Sequence, residues 1–441
     1  MTSITAPAGA GSAARVTLRH ILIGAILAKP VVDLFWQVEL VGTGRFGLTP
    51  QRFLALVVPF LCVAIIATTR RTILLREKGL YGFLAVAALA VMVNGPSPSA
   101  VDQFLRWVTI LGVLAIALTL LPTEQDLVLV LGGLVVVSLL PTLICYLQLV
   151  GIVPFYYAEF EDVAFATEAA TGIFESTQGT FGEGVGRASG GYLHPTGYTN
   201  YVFVAVPAAY ALFRVGRLSL VGLLAFLLVT LPAVFFTYDR TAYILLSGQL
   251  TVMLLFSDQR RFFRLVMLSM IVTVGIFVGP ILWSLVRGGV GQLARFDQLF
   301  RGRGLVWLIY ADHWLRGDLW QQLIGFGGVA LEDVPISKGA ALDEPHSDYL
   351  RVLFTYGLVG LLMYLKLLWS AFRGAWHMAH PFHPGGTETG RTMGVVALMI
   401  LLAAAGASLL KEPLRYTAFG WPFALLVAAA IARRSGLFVV E

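Results

Sequence analysis

Apolar runs of about 17 to 25 residues recur along this chain, each long enough to cross a hydrocarbon core of roughly 30 Å. In lipid every backbone polar group must be satisfied internally, so such runs are restricted to helices; a β-barrel would show short alternating segments instead. The totals agree. Of 441 residues, 58% are hydrophobic and only 13% charged, where a soluble domain carries about 25%, and the mean hydropathy is +0.81. The expected class is an all-α, polytopic integral membrane protein. Cys62 and Cys145 fall inside apolar runs, which speaks against a disulfide framework or a thiolate metal site. The net charge of +6 is explained by arginines at helix ends rather than by a basic domain, so no nucleic-acid partner is expected.

About twelve transmembrane helices fit the pattern, near 17–36, 52–69, 77–93, 103–121, 127–152, 196–213, 217–237, 240–256, 263–284, 350–371, 392–409 and 417–432. The first resembles a signal peptide over Arg15, Arg19 and Ile21 to Ala28. Its apolar run continues past Lys29-Pro30 to Trp36 with no small-residue cleavage site, so it reads as a retained span. With the N-terminus placed inside, the basic clusters Arg15/Arg19, Arg70/Arg71/Arg76/Lys78, Arg214/Arg217, Arg260/Arg261/Arg264, Arg373/Arg391 and Arg433/Arg434 all fall on the inner side, and both termini are cytoplasmic. Two long loops, 153–195 and 285–349, then lie outside. The first is acidic and then glycine-rich; the second turns from basic to acidic around a helix expected over Leu305 to Leu319, with Trp307, Leu308, Trp314 and Leu315 on its apolar side. Residues 1–441 read as one membrane domain with two elaborated loops.

Chemistry on such a chain must use these outer segments. His346 lies in Pro345-His346-Ser347-Asp348-Tyr349-Leu350, where a helix starting at Pro345 would hold it in the first turn. A helix N-terminus disfavours the imidazolium, so the neutral ring can accept a proton from a hydroxyl; the alternative is a capping histidine at the interface. Asp348 is a candidate to orient it, although side chains two apart on a helix diverge. Arg240, in Tyr238-Asp239-Arg240-Thr241, runs against the topological charge bias and is suited to gripping phosphate; the alternative is a local Asp239–Arg240 contact. Arg301 and Arg303 alternate with glycines ahead of Trp307, and Arg187 sits in the glycine-rich loop; the alternative is solvated charge. His194 and Asn200 bracket the start of the sixth apolar run, as partners in a wet cavity or as anchors. Glu412 and Arg415 either line the same cavity or pair with each other, and Gly357 and Gly360 read as structural. His377, His380 and His383 give no convincing metal site, and none is expected.

Four patterns in order carry a resemblance: His194 to Asn200; Asp239-Arg240-Thr241-Ala242; Arg303-x-x-x-Trp307 leading to Gly325-Phe326-Gly327; and Pro345 to Leu350 followed by Gly357-Leu358-Val359-Gly360. Together they resemble the bacterial O-antigen ligase and Wzy-type polysaccharide polymerase superfamily over about residues 190–365. The last is similar to that family's His-Asn-x-x-Leu…Gly-x-x-Gly signature, with Ser347 in place of Asn; Asp239 stands where Ser is frequent.

The resemblance implies a metal-independent, inverting membrane glycosyltransferase of the bacterial inner membrane, without a cofactor, acting on the periplasmic face. It makes 153–195 and 285–349 the first and second periplasmic loops. The implied donor is a glycan on undecaprenyl diphosphate, and the acceptor a lipid-linked glycan or lipid A–core. The bilayer is the medium and a chain-length regulator a further partner. His346 is implied as the catalytic residue and Arg240, Arg303 and Arg187 as diphosphate ligands. His194, Asn200, Asp239, Arg301, Trp307, Asp348, Tyr349, Glu412 and Arg415 are implied in support or acceptor binding. The opening His194-Pro195…Asn200 is more similar to exopolysaccharide and capsule polymerases, so a repeat-unit polymerase is the first expectation and O-antigen ligase the alternative. A transporter is a further alternative, but its coupling residues belong near midplane, whereas these polar residues gather at one face.

Overall fold

The computed structural model describes residues 10–35, 49–68, 74–121, 123–153, 188–192, 194–256, 303–327, 345–380 and 388–434, and among them there is no strand. The helices are α1 (Ala10–Val32, continued by a 3-10 turn Asp33–Phe35), α2 (Pro50–Thr68), α3 (Lys78–Asn94), α4 (Pro98–Leu120), α5 (Glu124–Leu149), α6 (Pro195–Arg214), α7 (Leu220–Phe235), α8 (Arg240–Leu255), α9 (Arg303–Arg316), α10 (Leu319–Ile324), α11 (Asp348–Ala379), α12 (Glu388–Leu410) and, after a 3-10 turn Pro413–Arg415, α13 (Thr417–Arg434).

The expectation of about twelve membrane-spanning helices is corrected. Among the described residues five helices are long and apolar enough to cross a membrane: α2, α4, α5, α11 and α12. Helices α3, α7, α8 and α13 are apolar but shorter. Side-chain caps fix where three of them begin. The side chains of Glu77, Ser219 and Asp239 accept from backbone N–H groups of the first turn and start α3, α7 and α8 there. The apolar run read as 217–237 thereby becomes a helix of 16 residues, about 24 Å long. Helices α1 and α6 have the length, but α1 carries Arg15, Arg19 and Lys29, and α6 opens on Thr196, Tyr198, Thr199, Asn200 and Tyr201. The run 263–284 lies outside the described residues. The chain is a helical protein with several apolar helices of membrane-spanning length, as a multi-spanning membrane protein requires. Large side chains such as Phe60, Met92, Val136, Val221 and Leu228 stand exposed on their outer faces, which is what a lipid solvent permits.

Helix α6 is buried almost throughout and packs against α5, α12 and α13. Helix α11 lies against α3, α12 and α13. It is broken at Gly357, whose φ of +68° and ψ of −172° interrupt the helical ladder. The carbonyls of Phe354 and Thr355 are thereby available to the backbone N–H groups of Phe326 (2.9 Å) and Gly327 (3.0 Å). A Cβ at Gly357 would collide with the backbone of Leu323, and one at Gly325 with that of Thr355. Glycine at Gly357 thus serves both a left-handed backbone and a close approach.

The loop helix expected over Leu305–Leu319 is observed as α9 and α10, split because Asp318 caps α10 with a reciprocal capping box to Gln321. Its buried face is not the expected one. Val306 and Tyr310 pack on Phe354, flanked by Ile309, Trp314 and Phe326, while Leu315 is exposed.

The helices define two ends. At one lie the starts of α3, α5 and α12 and the end of α6, joined by Arg19–Asp126 (3.0 Å), Arg214–Glu388 and Thr389 Oγ1 to Glu124 (3.0 Å). At the other lie the starts of α6, α8, α11 and α13 and the end of α12. Among the described residues, Arg76, Lys78, Arg214 and Arg217 stand at the first end, and 194–200, 239–242 and 345–350 at the second.

Candidate functional site

The second end gathers four segments far apart in sequence: 194–200, 239–242, 345–351 and 408–416. Three of them are helix starts. His194 is the N-cap of α6, its Nδ1 accepting from the Thr196 N–H at 3.1 Å. Asp239 is the N-cap of α8 and accepts from the Ala242 N–H. Ser347 is the N-cap of α11.

Side chains tie these starts together. Thr199 Oγ1 on α6 donates to Asp239 Oδ2 at 2.7 Å, and the Lys411 ammonium, past the end of α12, forms an ion pair with the same oxygen. The Lys411 carbonyl accepts from the Asp348 N–H at 3.3 Å. Asp348 Oδ2 accepts from Ser408 Oγ (2.9 Å) and the Leu414 N–H (3.4 Å), while Ser347 Oγ donates to the Ser408 carbonyl at 2.9 Å. Tyr349 Oη donates to the Ala405 carbonyl at 3.0 Å. Thr196 Oγ1 donates to Tyr416 Oη at 3.2 Å. Arg351 pairs with Glu412 at 2.8 Å. Asp239, Asp348, Arg351, Lys411 and Glu412 are all buried. Charges withdrawn from water to this degree must be paired and hydrogen-bonded to be tolerated.

His346 stands at the edge of this network. It is not in the first helical turn, as the sequence pattern suggests: α11 begins at Asp348, and His346 lies two residues before it with φ +45°. Pro345 on one side has its carbonyl held by the Trp307 indole N–H of α9 at 2.8 Å, and Ser347 on the other is buried and bonded to Ser408. The half-buried ring is thus carried on a backbone fixed at both flanks in a conformation that costs a non-glycine residue about 1–3 kcal/mol. Tyr238, next to the cap of α8, shares that conformation at φ +51°.

The remaining candidates divide. Asp348 turns its carboxylate to Ser408 and Leu414. Glu412 pairs with Arg351, sixty-one residues away in sequence. Asp239 pairs with Lys411 and accepts from Thr199. Arg240 is the first residue of α8, Arg415 closes the 3-10 turn between α12 and α13, and Arg303 opens α9 one turn before Trp307; these place their backbones around the network. Arg187 and Arg301 lie outside the described residues. Asn200 is fully buried one residue past Thr199, and neither of its amide atoms has a hydrogen-bond partner among the described residues.

Lys411 and Arg351 are the charges that sequence reasoning left unassigned. Arg351 carried a readable signal, a lone cation just inside an apolar run. Beside the network, α1 ends in a further buried pair, Lys29–Asp33, with Lys29 5.8 Å from the centre of the Trp421 ring.

Chemically, this end combines the positive dipole ends of α6, α8 and α11 with arginine backbones and a half-buried imidazole. Helix starts of this kind favour anionic oxygens. The chain matches no protein-family model and no curated protein.

Proposed function

We propose that this chain is a membrane glycosyltransferase of the O-antigen ligase and Wzy-type polymerase kind. In this reading it is an inner-membrane protein with cytoplasmic termini and works on the periplasmic face as a repeat-unit polysaccharide polymerase. The observation that carries the reading is the convergence of 194–200, 239–242, 345–351 and 408–416 on one end of the helices, because three of these segments are the ones that carry the resemblance.

The donor is a glycan on undecaprenyl diphosphate. The acceptor hydroxyl oxygen attacks the anomeric carbon, the bond from that carbon to the diphosphate oxygen breaks, and the anomeric centre inverts. His346 takes the proton from the acceptor hydroxyl. The departing diphosphate carries the developing charge, which the start of α8 with Arg240 and the start of α9 with Arg303 stabilise in place of a divalent ion. Trp307 fixes the backbone of His346 and so aims the base. The buried network of Asp239, Lys411, Asp348, Arg351 and Glu412 sets the relative positions of the helix starts.

The test is the lipopolysaccharide and exopolysaccharide of a deletion strain complemented with wild type, His346→Ala or His346→Gly. Loss of long chains while single repeat units are still made is the expected outcome. Glycine relieves the left-handed strain at position 346, so His346→Gly folds at least as well as wild type yet gives the same loss. Polymer accumulating unligated on undecaprenyl diphosphate would identify a ligase instead. Unchanged glycan pools would remove the reading and turn attention to transport.

A further inference from the structure

At the end opposite the network, α11 exposes a stripe along its last turns that the proposed reaction does not use. Leu362 and Leu365 are followed by Trp369, Phe372 and Trp376, all exposed. The three rings stack in succession, with centroids 5.7 Å and 6.2 Å apart, and Phe256 at the end of α8 meets Trp376 edge-on at 6.3 Å. On one flank of the stripe, Lys366 and Arg373 are exposed on the same helix. Beyond them α3 begins, with Arg76 and Lys78 exposed. The start of α3 is held against α11 by Ser370 Oγ donating to Glu77 at 2.8 Å. Gly79 allows the close approach, since a Cβ there would lie 3.1 Å from the Leu367 backbone nitrogen.

Charge at this end is distributed unevenly. Among the described residues Asp126 and Glu388 are ion-paired with Arg19 and Arg214, Glu124 accepts from the Thr389 hydroxyl, and Glu77, buried between Arg76 and Lys78, accepts from Ser370, so one acid stands among four cations. No ion pair among the described residues opposes Arg76, Lys78, Lys366 or Arg373. The surface therefore runs from apolar through aromatic on α11 and is bordered by a net positive group of four cations that form no ion pair among the described residues. Trp and Tyr gather where hydrocarbon meets headgroups, and lysine or arginine just beyond them attracts anionic lipid. A soluble acidic partner would satisfy the cations but leave the stacked rings in water; a zwitterionic lipid would cover the rings but leave the cations unmatched.

We propose that this surface is a binding site for an anionic phospholipid, its phosphate at Arg76, Lys78, Lys366 and Arg373 and its acyl chain along Leu362, Leu365 and the Trp369–Phe372–Trp376 stack. The proposal needs only that α11 lies in a bilayer; it does not depend on the glycan-transfer reading.

The test uses the full chain, delipidated in mild detergent and offered equimolar phosphatidylglycerol and phosphatidylcholine, with bound lipid read by native mass spectrometry. Wild type retains phosphatidylglycerol in preference. Arg76→Gln, Lys366→Gln and Arg373→Gln each reduce that preference by about fivefold, and Lys366→Arg keeps it. Arg316→Gln, an exposed charge at the other end, leaves it unchanged. Inorganic phosphate does not displace the bound lipid. Equal retention of both lipids by wild type overturns the proposal, as does a preference that survives the triple Gln variant. Should the triple variant aggregate, the single Arg373→Gln variant decides. A wild-type oligomer that persists without lipid and dissociates on Arg373→Gln would assign the surface to a protein partner instead.

Discussion

The two ends of this protein use the same residue types in opposite ways. Within the network both members of each ion pair are withdrawn from solvent: the side chains of Arg351 and Glu412 are 10% and 3% exposed, and those of Lys411 and Asp239 6% and 5%. At the other end Glu388 remains 54% exposed while it meets Arg214. A buried pair costs more in lost hydration than it returns unless every remaining lone pair and N–H finds a partner. The hydroxyls of Thr199 and Ser408 and the backbone N–H of Leu414 supply such partners to Asp239 and Asp348. A half-exposed pair needs none of this and contributes little. The network is therefore a specified arrangement with few tolerated substitutes, and the Arg214–Glu388 contact part of a solvated rim.

The comparison breaks most visibly at Glu412. Glu412→Gln takes the charge of its 2.8 Å ion-pair partner away from the buried Arg351 guanidinium, and the expected loss is about 3–5 kcal/mol, read as a lowered unfolding midpoint in detergent. The double variant Arg351→Met with Glu412→Leu removes both charges and is expected to recover most of that loss, while glycan assembly stays impaired. Recovery of assembly along with stability would show that the pair only fills space. Gly357→Ala comes next. It places a side chain in a left-handed conformation and against the Leu323 backbone, so at least about 1–3 kcal/mol is expected. Limited proteolysis should then show release of the α9–α10 segment, because the bonds from Phe326 and Gly327 to α11 depend on that break.

Much of this was legible before any coordinates, and what was not has a physical cause. The polar segments at 194–200, 239–242 and 345–350 stand out because polar side chains at the edge of an apolar run require partners. The identity of those partners was not legible. Glu412 pairs with Arg351, sixty-one residues away, and Asp239 with Lys411, 172 residues away. Local spacing favours the near neighbour, but a residue at the start of one helix and a residue at the end of another can share an oxygen only when the packing of α6, α8, α11 and α12 brings them together. The helix count failed for a related reason. Hydropathy registers an apolar run and not the residue that caps it, and the side chain of Ser219 starts α7 three residues into its run, while α3 and α8 have 17 and 16 residues, short of the length of the five spanning helices. The break at Gly357 was read only as a small-residue contact; its consequence, two carbonyls turned to Phe326 and Gly327, depends on the arrival of another segment.

A cap at the network end sharpens the contrast at smaller scale. His194→Ala removes the acceptor for the Thr196 N–H, with an expected cost of about 1 kcal/mol, and His194→Asn, a preferred cap, is expected to restore it. If His194→Asn restores stability but not polymer length, His194 also touches substrate; if it restores both, capping is its whole role.

The smallest effect belongs to the rim. Arg214 reaches Glu388 across the gap between α6 and α12 and also donates to the Phe256 carbonyl at 3.3 Å. Replacing Glu388 by Gln removes the charge partner but leaves that backbone contact, and Glu388 keeps more than half of its surface in solvent. The expected change is below about 1 kcal/mol and diminishes further at high salt. The same substitution at Glu412 should show a loss several times larger and scarcely dependent on salt, because no mobile ion enters the buried pair. Measuring both variants at low and high ionic strength therefore tests the distinction directly. Equal losses with equal salt dependence would mean that the network end is as wet as the rim, and that the positions of the helix starts are set by apolar packing rather than by the charges between them.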